Sequence, residues 1–226
     1  LSDRFKRFRS RVVKRKYPVS GERDWVCYEV HPSSSSSSLT PAGAKTEGIP
    51  LIMIHGTSGT AAHFFAVQEV LEKHGIRAIS AQFPPCYTIS GFCESLLLLM
   101  RTMRIQRAHF FGTSLGAYLL LHFLGVCPER AASVILCNGF VDTIMFEQSD
   151  WWVASLPFLP QFYLTNYLLQ SFPARTPFPS VIDFVVEQLD ELSGDDIASR
   201  LVLNCTKSSV KGAPPGFDQT KITLLD

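Results

Sequence analysis

The apolar positions of this chain form short solid runs that alternate with stretches of helical spacing. Pro50, Leu51, Ile52, Met53 and Ile54 make an unbroken apolar run ending at His55-Gly56. That is the pattern of a strand buried on both faces of a parallel sheet. Residues 61–74 then set Phe64, Phe65, Val67, Val70 and Leu71 on one stripe, which predicts a helix stopped at Gly75. The alternation continues with a strand at 76–81, a helix at 90–103, a strand at 108–111, a helix at 115–126 and a strand at 132–137. Shorter strands are predicted at 25–31 and 222–225. Strands alternating with helices predict βαβ units, and therefore a mostly parallel sheet with helices on both faces. The rhythm breaks after Asn138. Residues 143–200 hold no convincing strand; Trp151, Trp152, Phe158, Phe162, Tyr163 and Tyr167 gather there, broken by five prolines, and 181–192 reads as amphipathic helix. A helical insertion over 143–205 is expected, able to gate a site or to offer an aromatic face to a partner.

Composition changes this picture in two places. At 226 residues, 46% hydrophobic and 18% charged, the chain suits one sizeable domain. Its net charge of +1 gives no global attraction for nucleic acid. The charge is uneven, however: residues 1–16 carry eight Lys or Arg against Asp3 alone, leaving a net of −6 on the rest. Residues 1–24 are therefore expected to form a basic, flexible tail. Phe5, Phe8 and Val12 fall on one helical face within it, so contact with an anionic membrane surface, nucleic acid or a targeting receptor stays open. The chain begins with Leu1 rather than Met, which leads us to expect a longer natural start. Six consecutive serines sit inside a polar stretch, 33–48, that reads as a flexible loop. The N-terminal part of the main α/β domain is then expected over 25–142 and a truncated return to the sheet over 206–226. The six cysteines show no metal spacing and lie mostly in apolar runs, as reduced thiols of an intracellular protein do. No metal and no cofactor are expected, and no run approaches the length of a transmembrane helix.

The chemistry centres on Gly112-Thr113-Ser114-Leu115-Gly116, a G-x-S-x-G between a strand and a helix. In such an elbow the serine takes a strained backbone conformation that holds its hydroxyl clear, while the glycines prevent collision across the turn. The competing reading is a simple Gly-Ser helix cap.

The elbow, Ser58-Gly59-Thr60-Ala61 with Phe64-Phe65, Gln82-Phe83-Pro84, Cys137-Asn138-Gly139-Phe140-Val141-Asp142-Thr143 and Ala198-Ser199-Arg200-Leu201 together resemble the maspardin family within the α/β-hydrolase fold. Ala117 departs from the second glycine expected after Gly116. The resemblance implies an α/β-hydrolase domain with a helical cap. It also implies an adaptor in endosomal and trans-Golgi trafficking, non-catalytic or weakly catalytic, cytoplasmic or peripheral on those membranes. Its partner would be a protein bound at the cap or pocket face; no nucleic acid is expected. The alternative is a serine esterase or lipase, with Ser114 as nucleophile.

A serine hydrolase needs a base and an acid, in the order Ser, Asp or Glu, His in this fold. Only His122 follows Ser114, and it lies eight residues on in the elbow helix, too far along the axis to serve. His109 reads as a packed strand residue. Asp142, just past the next strand, is the candidate acid, with a helix N-cap for the cap segment as its competing role. His55-Gly56-Thr57 resembles an oxyanion segment, where Gly56 or Thr57 would donate an N–H beside that of Leu115, and His55 would line the pocket. Asp226 stands too early in its turn to be the acid. The chain is expected to continue past Asp226, to lack its base and the last part of the sheet as given, and to leave 222–225 near an apolar edge.

Overall fold

Helix α1 (Ser2–Arg11) opens the computed structural model, which describes residues 1–20, 23–32, 48–170, 179–210, 217–218 and 221–225. Strands β1 (Lys14–Ser20) and β2 (Arg23–Val30) follow, then β3 (Leu51–Ile54), β4 (Ala78–Gln82), β5 (Ala108–Thr113), β6 (Ala131–Cys137) and β7 (Ile222–Leu225). They form one seven-stranded sheet in the order β1-β2-β4-β3-β5-β6-β7. β1, β2 and β4 pair antiparallel in sequence; β4-β3-β5-β6-β7 are parallel throughout. The connections of the parallel part are α2 (Phe65–Lys73), α3 (Ile89–Thr102) and α4 (Leu115–Val126).

Alternation along the strands splits the core in two. Trp25, Cys27, Ile52, Ile54, Ile79, Ala81 and Phe110 face α3 and α4. Tyr28, Val30, Met53 and Ala78 face the opposite side, with α1, α2 and Phe184. The parallel strands are apolar on both faces for this reason. Among the described residues β7 is an edge strand, paired with β6 and leaving Leu224 exposed.

After β6 the chain runs through α5 (Asp150–Ser155), α6 (Gln161–Leu169), α7 (Pro179–Leu189) and α8 (Gly194–Cys205). These helices hold a core of their own, built from Leu156, Leu164, Leu168, Val185, Leu189, Leu192, Ile197 and Leu201. A capping box starts α8, with Ser193 and Asp196 exchanging hydrogen bonds.

The flexible tail expected for residues 1–24 is corrected by the structure: most of it is α1 and β1. Phe5 and Phe8 are buried against Tyr28 and Phe65, and Phe5 also meets Phe184 edge-on at 5.2 Å. The charges on the outer face are matched to acids on two different helices. Arg4 pairs with Glu69 and Arg11 with Glu72 of α2, while Ser2 bonds Glu187 of α7 and Lys14 bonds Glu191 just beyond it. The aromatic face outweighs charge repulsion because it has a ready-made apolar counterpart in α2 and β2. The serine-rich loop expected at 33–48 lies outside the described residues, Gly48 excepted, and so does Asp226.

Phe8 is fully buried between two aromatic rings. Replacing it by alanine is expected to lower stability by about 3–5 kcal/mol. Urea unfolding of parent and Phe8→Ala checks this, and an unchanged midpoint would mean that the helix is not docked.

Candidate functional site

Ser114 joins β5 to α4 at φ 50° and ψ −118°, a conformation that costs about 1–3 kcal/mol for a non-glycine residue. Two backbone hydrogen bonds hold it: Ser114 N–H donates to the Cys137 carbonyl at 2.9 Å, and Tyr118 N–H donates to the Ser114 carbonyl at 3.1 Å. The Ser114 side chain makes no cap hydrogen bond, so the simple helix-cap reading fails. Close packing explains the flanking residues. A Cβ on Gly116 would stand 2.5 Å from the Ile54 and His55 carbonyl oxygens, and one on Gly112 would stand 2.7 Å from Ala117 Cα. Ala117 fits where a second glycine was expected because Gly139 opposite it has no side chain; a Cβ there would meet Ala117 Cβ at 3.0 Å.

A cavity of about 590 Å³ opens over Ser114. Gly56, Thr57, Ser58, Gly59 and Thr113 line it on the sheet side. A Cβ on Gly56 would stand 3.2 Å from Ser114 Cβ, which shows how closely this loop approaches the serine. The segment between β6 and α8 closes the other side with Met145, Phe146, Gln148, Tyr167, Leu168 and Gln170, and α8 adds Leu201, Asn204 and Cys205. The lining is mixed, with polar side chains such as Thr57, Ser58, His63, Gln148, Gln170 and Asn204 beside apolar Met145, Phe146, Leu168 and Leu201. Asn204 Oδ1 is buried there without a hydrogen-bond partner among the described residues.

The loop facing Ser114 is tied down by its carbonyls. Gly56 O accepts from Gly59 N–H at 3.0 Å and from His55 Nδ1–H at 2.7 Å. Leu115, first residue of α4, is fully buried at the helix N-terminus, where backbone N–H groups favour negative charge. Gly56, Thr57, Ser114 and Leu115 are thus brought together.

His55 is placed differently from expectation. It does not line the cavity but lies under the loop, buried, with its ring stacked on Phe83 at 4.7 Å. Gly59 packs directly on its side chain. Asp142 also stays outside the cavity: its carboxylate accepts from Ile144 N–H at 3.1 Å and caps the turn after β6. His122 sits on α4 against Tyr118, and His109 bonds Ser133. Among the described residues, no histidine is hydrogen-bonded to Ser114.

Two residues escaped the sequence reading. His63 lines the cavity. Its Nδ1 accepts from Thr60 N–H at 3.0 Å within a capping box, so the neutral ring carries its proton on Nε2. It therefore offers the cavity a donor and not a base. Arg200, on α8, is completely buried; its Nη1 donates to Gly59 O at 2.7 Å. Burial, and after it the charge of Arg200, pushes His63 down to about 4 and holds His55 well below the ordinary histidine range. The spacing of Ile197, Arg200, Leu201 and Asn204 on one helical face carried a signal for Arg200; nothing in the sequence marked His63.

No family model matches the chain. The chain is 35% identical to maspardin of Danio rerio over 194 residues, which cover 84% of this chain and 61% of that one. It is 34% identical to maspardin of Rattus norvegicus and of Homo sapiens over the same share of this chain, covering 73% and 62% of theirs. The chain thus spans about three fifths of the Danio rerio protein. Among solved structures it superposes on an enol-lactonase from Burkholderia xenovorans with TM-score 0.62 at 16% identity, covering 88% of this chain and 74% of that one. A hydrolase from Pseudomonas aeruginosa superposes with TM-score 0.59 at 17% identity over 84% and 72%. At such identity the likeness is one of fold.

His55 and His63, both held below the ordinary histidine range, set an acid limit on stability. Unfolded histidine binds its proton near 6.5, whereas folded His63 binds it only near 4. Between these values the unfolded chain holds more protons, so stability is full above about pH 6.5 and is lost as pH falls toward 4. The loss attributable to His63 is on the order of 3 kcal/mol. Urea midpoints across that range are expected to fall with pH in the parent and to fall less steeply in His63→Asn.

Proposed function

Because the chain belongs to the maspardin family of the α/β-hydrolase fold, we propose that it carries the nucleophile and oxyanion half of a carboxylic ester hydrolase site at Ser114. The observation that carries this reading is the elbow: a strained serine free of any capping bond, beneath a cavity and within van der Waals reach of the Gly56 loop. A pure scaffold has no chemical need of that strain. In this reading Ser114 Oγ adds to an ester carbonyl carbon. The N–H groups of Leu115 and of Thr57 or Gly56 receive the oxyanion. The alkoxide then leaves with the proton from Oγ, giving an acyl-enzyme that water cleaves. The proton must pass through a base from outside the described residues, since His63 presents its N–H and His55 is buried under the loop. Asp142, a turn cap outside the cavity, is not assigned the acid's role.

A second reading is favoured by the exposure of Trp151, Phe158 and Phe162, which are 74%, 87% and 69% exposed on the cap. It is a protein-binding adaptor of endosomal and trans-Golgi membranes, with the cap as its contact face. Contact of the N-terminus with anionic lipid is a weaker part of it, because Arg4, Arg9, Arg11 and Lys14 already face Glu69, Glu72 and Glu191. Among the described residues, no helix is long and apolar enough to cross a membrane.

Labelling by a fluorophosphonate probe tests the enzymatic reading. The full-length protein, with the segment that supplies the base, is expected to form a covalent adduct, located by peptide mass at Ser114 and abolished in Ser114→Ala. A parent chain that stays unlabelled beside a labelled esterase control removes this reading and leaves the adaptor.

A further inference from the structure

We infer that Arg200 is a positioning residue for the loop that faces Ser114: it holds the loop's carbonyls on its own side and sets a positive charge beneath the cavity. The inference rests on Ser114 being the reacting group.

The geometry begins with the carbonyls. Arg200 Nη1 donates to Gly59 O at 2.7 Å and makes a longer contact with Thr57 O at 3.5 Å. His55 holds Gly56 O in the same way at 2.7 Å. His55 and the guanidinium share one support, the Phe83 ring, at 4.7 Å and 5.3 Å from its centre. In a trans peptide the N–H points opposite to the carbonyl, and no described peptide bond is cis. Drawing the Gly56 and Thr57 carbonyls toward His55 and Arg200 therefore turns the Thr57 and Ser58 N–H groups the other way. Both residues line the cavity over Ser114.

The charge is the second part. Buried arginines ordinarily face a carboxylate, because an unpaired buried charge is expensive. Arg200 is fully buried, and its Nε and Nη2 have no hydrogen-bond partner among the described residues. Among the described residues no carboxylate forms an ion pair with it. Asp196, one turn earlier, favours the charge from a distance but directs its carboxylate to the Ser193 N–H and hydroxyl at 3.0 Å and 2.6 Å. The charge is felt at the cavity wall, where it helps keep His63 neutral. A fixed cation in a low-dielectric site favours negative charge developing above it, as on the oxygen of a tetrahedral adduct. For packing alone, a methionine of similar reach would serve at least as well.

The test compares Arg200→Met, Arg200→Gln and Arg200→Lys in the full chain, each shown to be folded by circular dichroism. In fluorophosphonate labelling, the P–O bond to Ser114 forms as fluoride leaves. Arg200→Met is expected to slow the maximal labelling rate about tenfold or more, with the half-saturating probe concentration little changed. Arg200→Lys should recover part of the rate, and Arg200→Gln, which keeps a donor without the charge, should recover less. Equal rates in the parent and Met variants overturn the inference, as do equal rates in Gln and Lys should the Met variant not fold. A parent that does not label refutes the Ser114 reading instead. Arg200 is then judged by the NMR titration of His63, which should move up when the charge is removed in Arg200→Gln; an unmoved titration overturns the charge.

Discussion

The site depends on how closely the first turn of α4 approaches the end of β3. Gly116 rests against the Ile54 and His55 carbonyls with no room for a methyl group. That contact fixes where α4 starts relative to the sheet, and so where Ser114 must bend out of β5. It also fixes the path of the chain leaving β3, because His55 is caught between Gly116 and Gly59. The elbow and the facing loop are thus two sides of one packing constraint. Ser114 can stay strained because neither side is able to relax without displacing the central parallel strands.

The loop residues are organised from beneath as well as from the side. His55, Phe83 and Arg200 form a buried layer in which His55 Nδ1 and Arg200 Nη1 donate to backbone carbonyls. Two of these residues come from strand ends and the third from the helix that closes the cavity. The last helix of the cap region is therefore joined to the Ser114 side of the sheet through hydrogen bonds to the main chain, and not only by its apolar face.

Much of this architecture was legible in the sequence. The parallel strands announced themselves as solid apolar runs, because both of their faces are covered. The elbow was readable because its strand, turn and helix adjoin in the chain. Residues whose role depends on distant partners were not readable. The Phe5-Phe8-Val12 face was visible, but its counterpart in Phe65, Tyr28 and Phe184 was not, so the charges beside it dominated the reading. His55 was recognised by its neighbour Gly56, yet whether a side chain lines a cavity or underlies it is decided by what packs on it, here Gly59. Arg200 stood in plain view in a segment used as a family marker. Its burial only acquires meaning once the carbonyls above it are known.

Helix α1 touches both the sheet layer, through Glu69 and Glu72 of α2, and the cap region, through Phe184, Glu187 and Glu191. Ser2 itself donates to Glu187, so the start of α1 sits against α7. An affinity tag or fluorescent fusion attached there would act as a lever on the roof of the cavity, shifting the space above Ser114 without altering any residue that lines it.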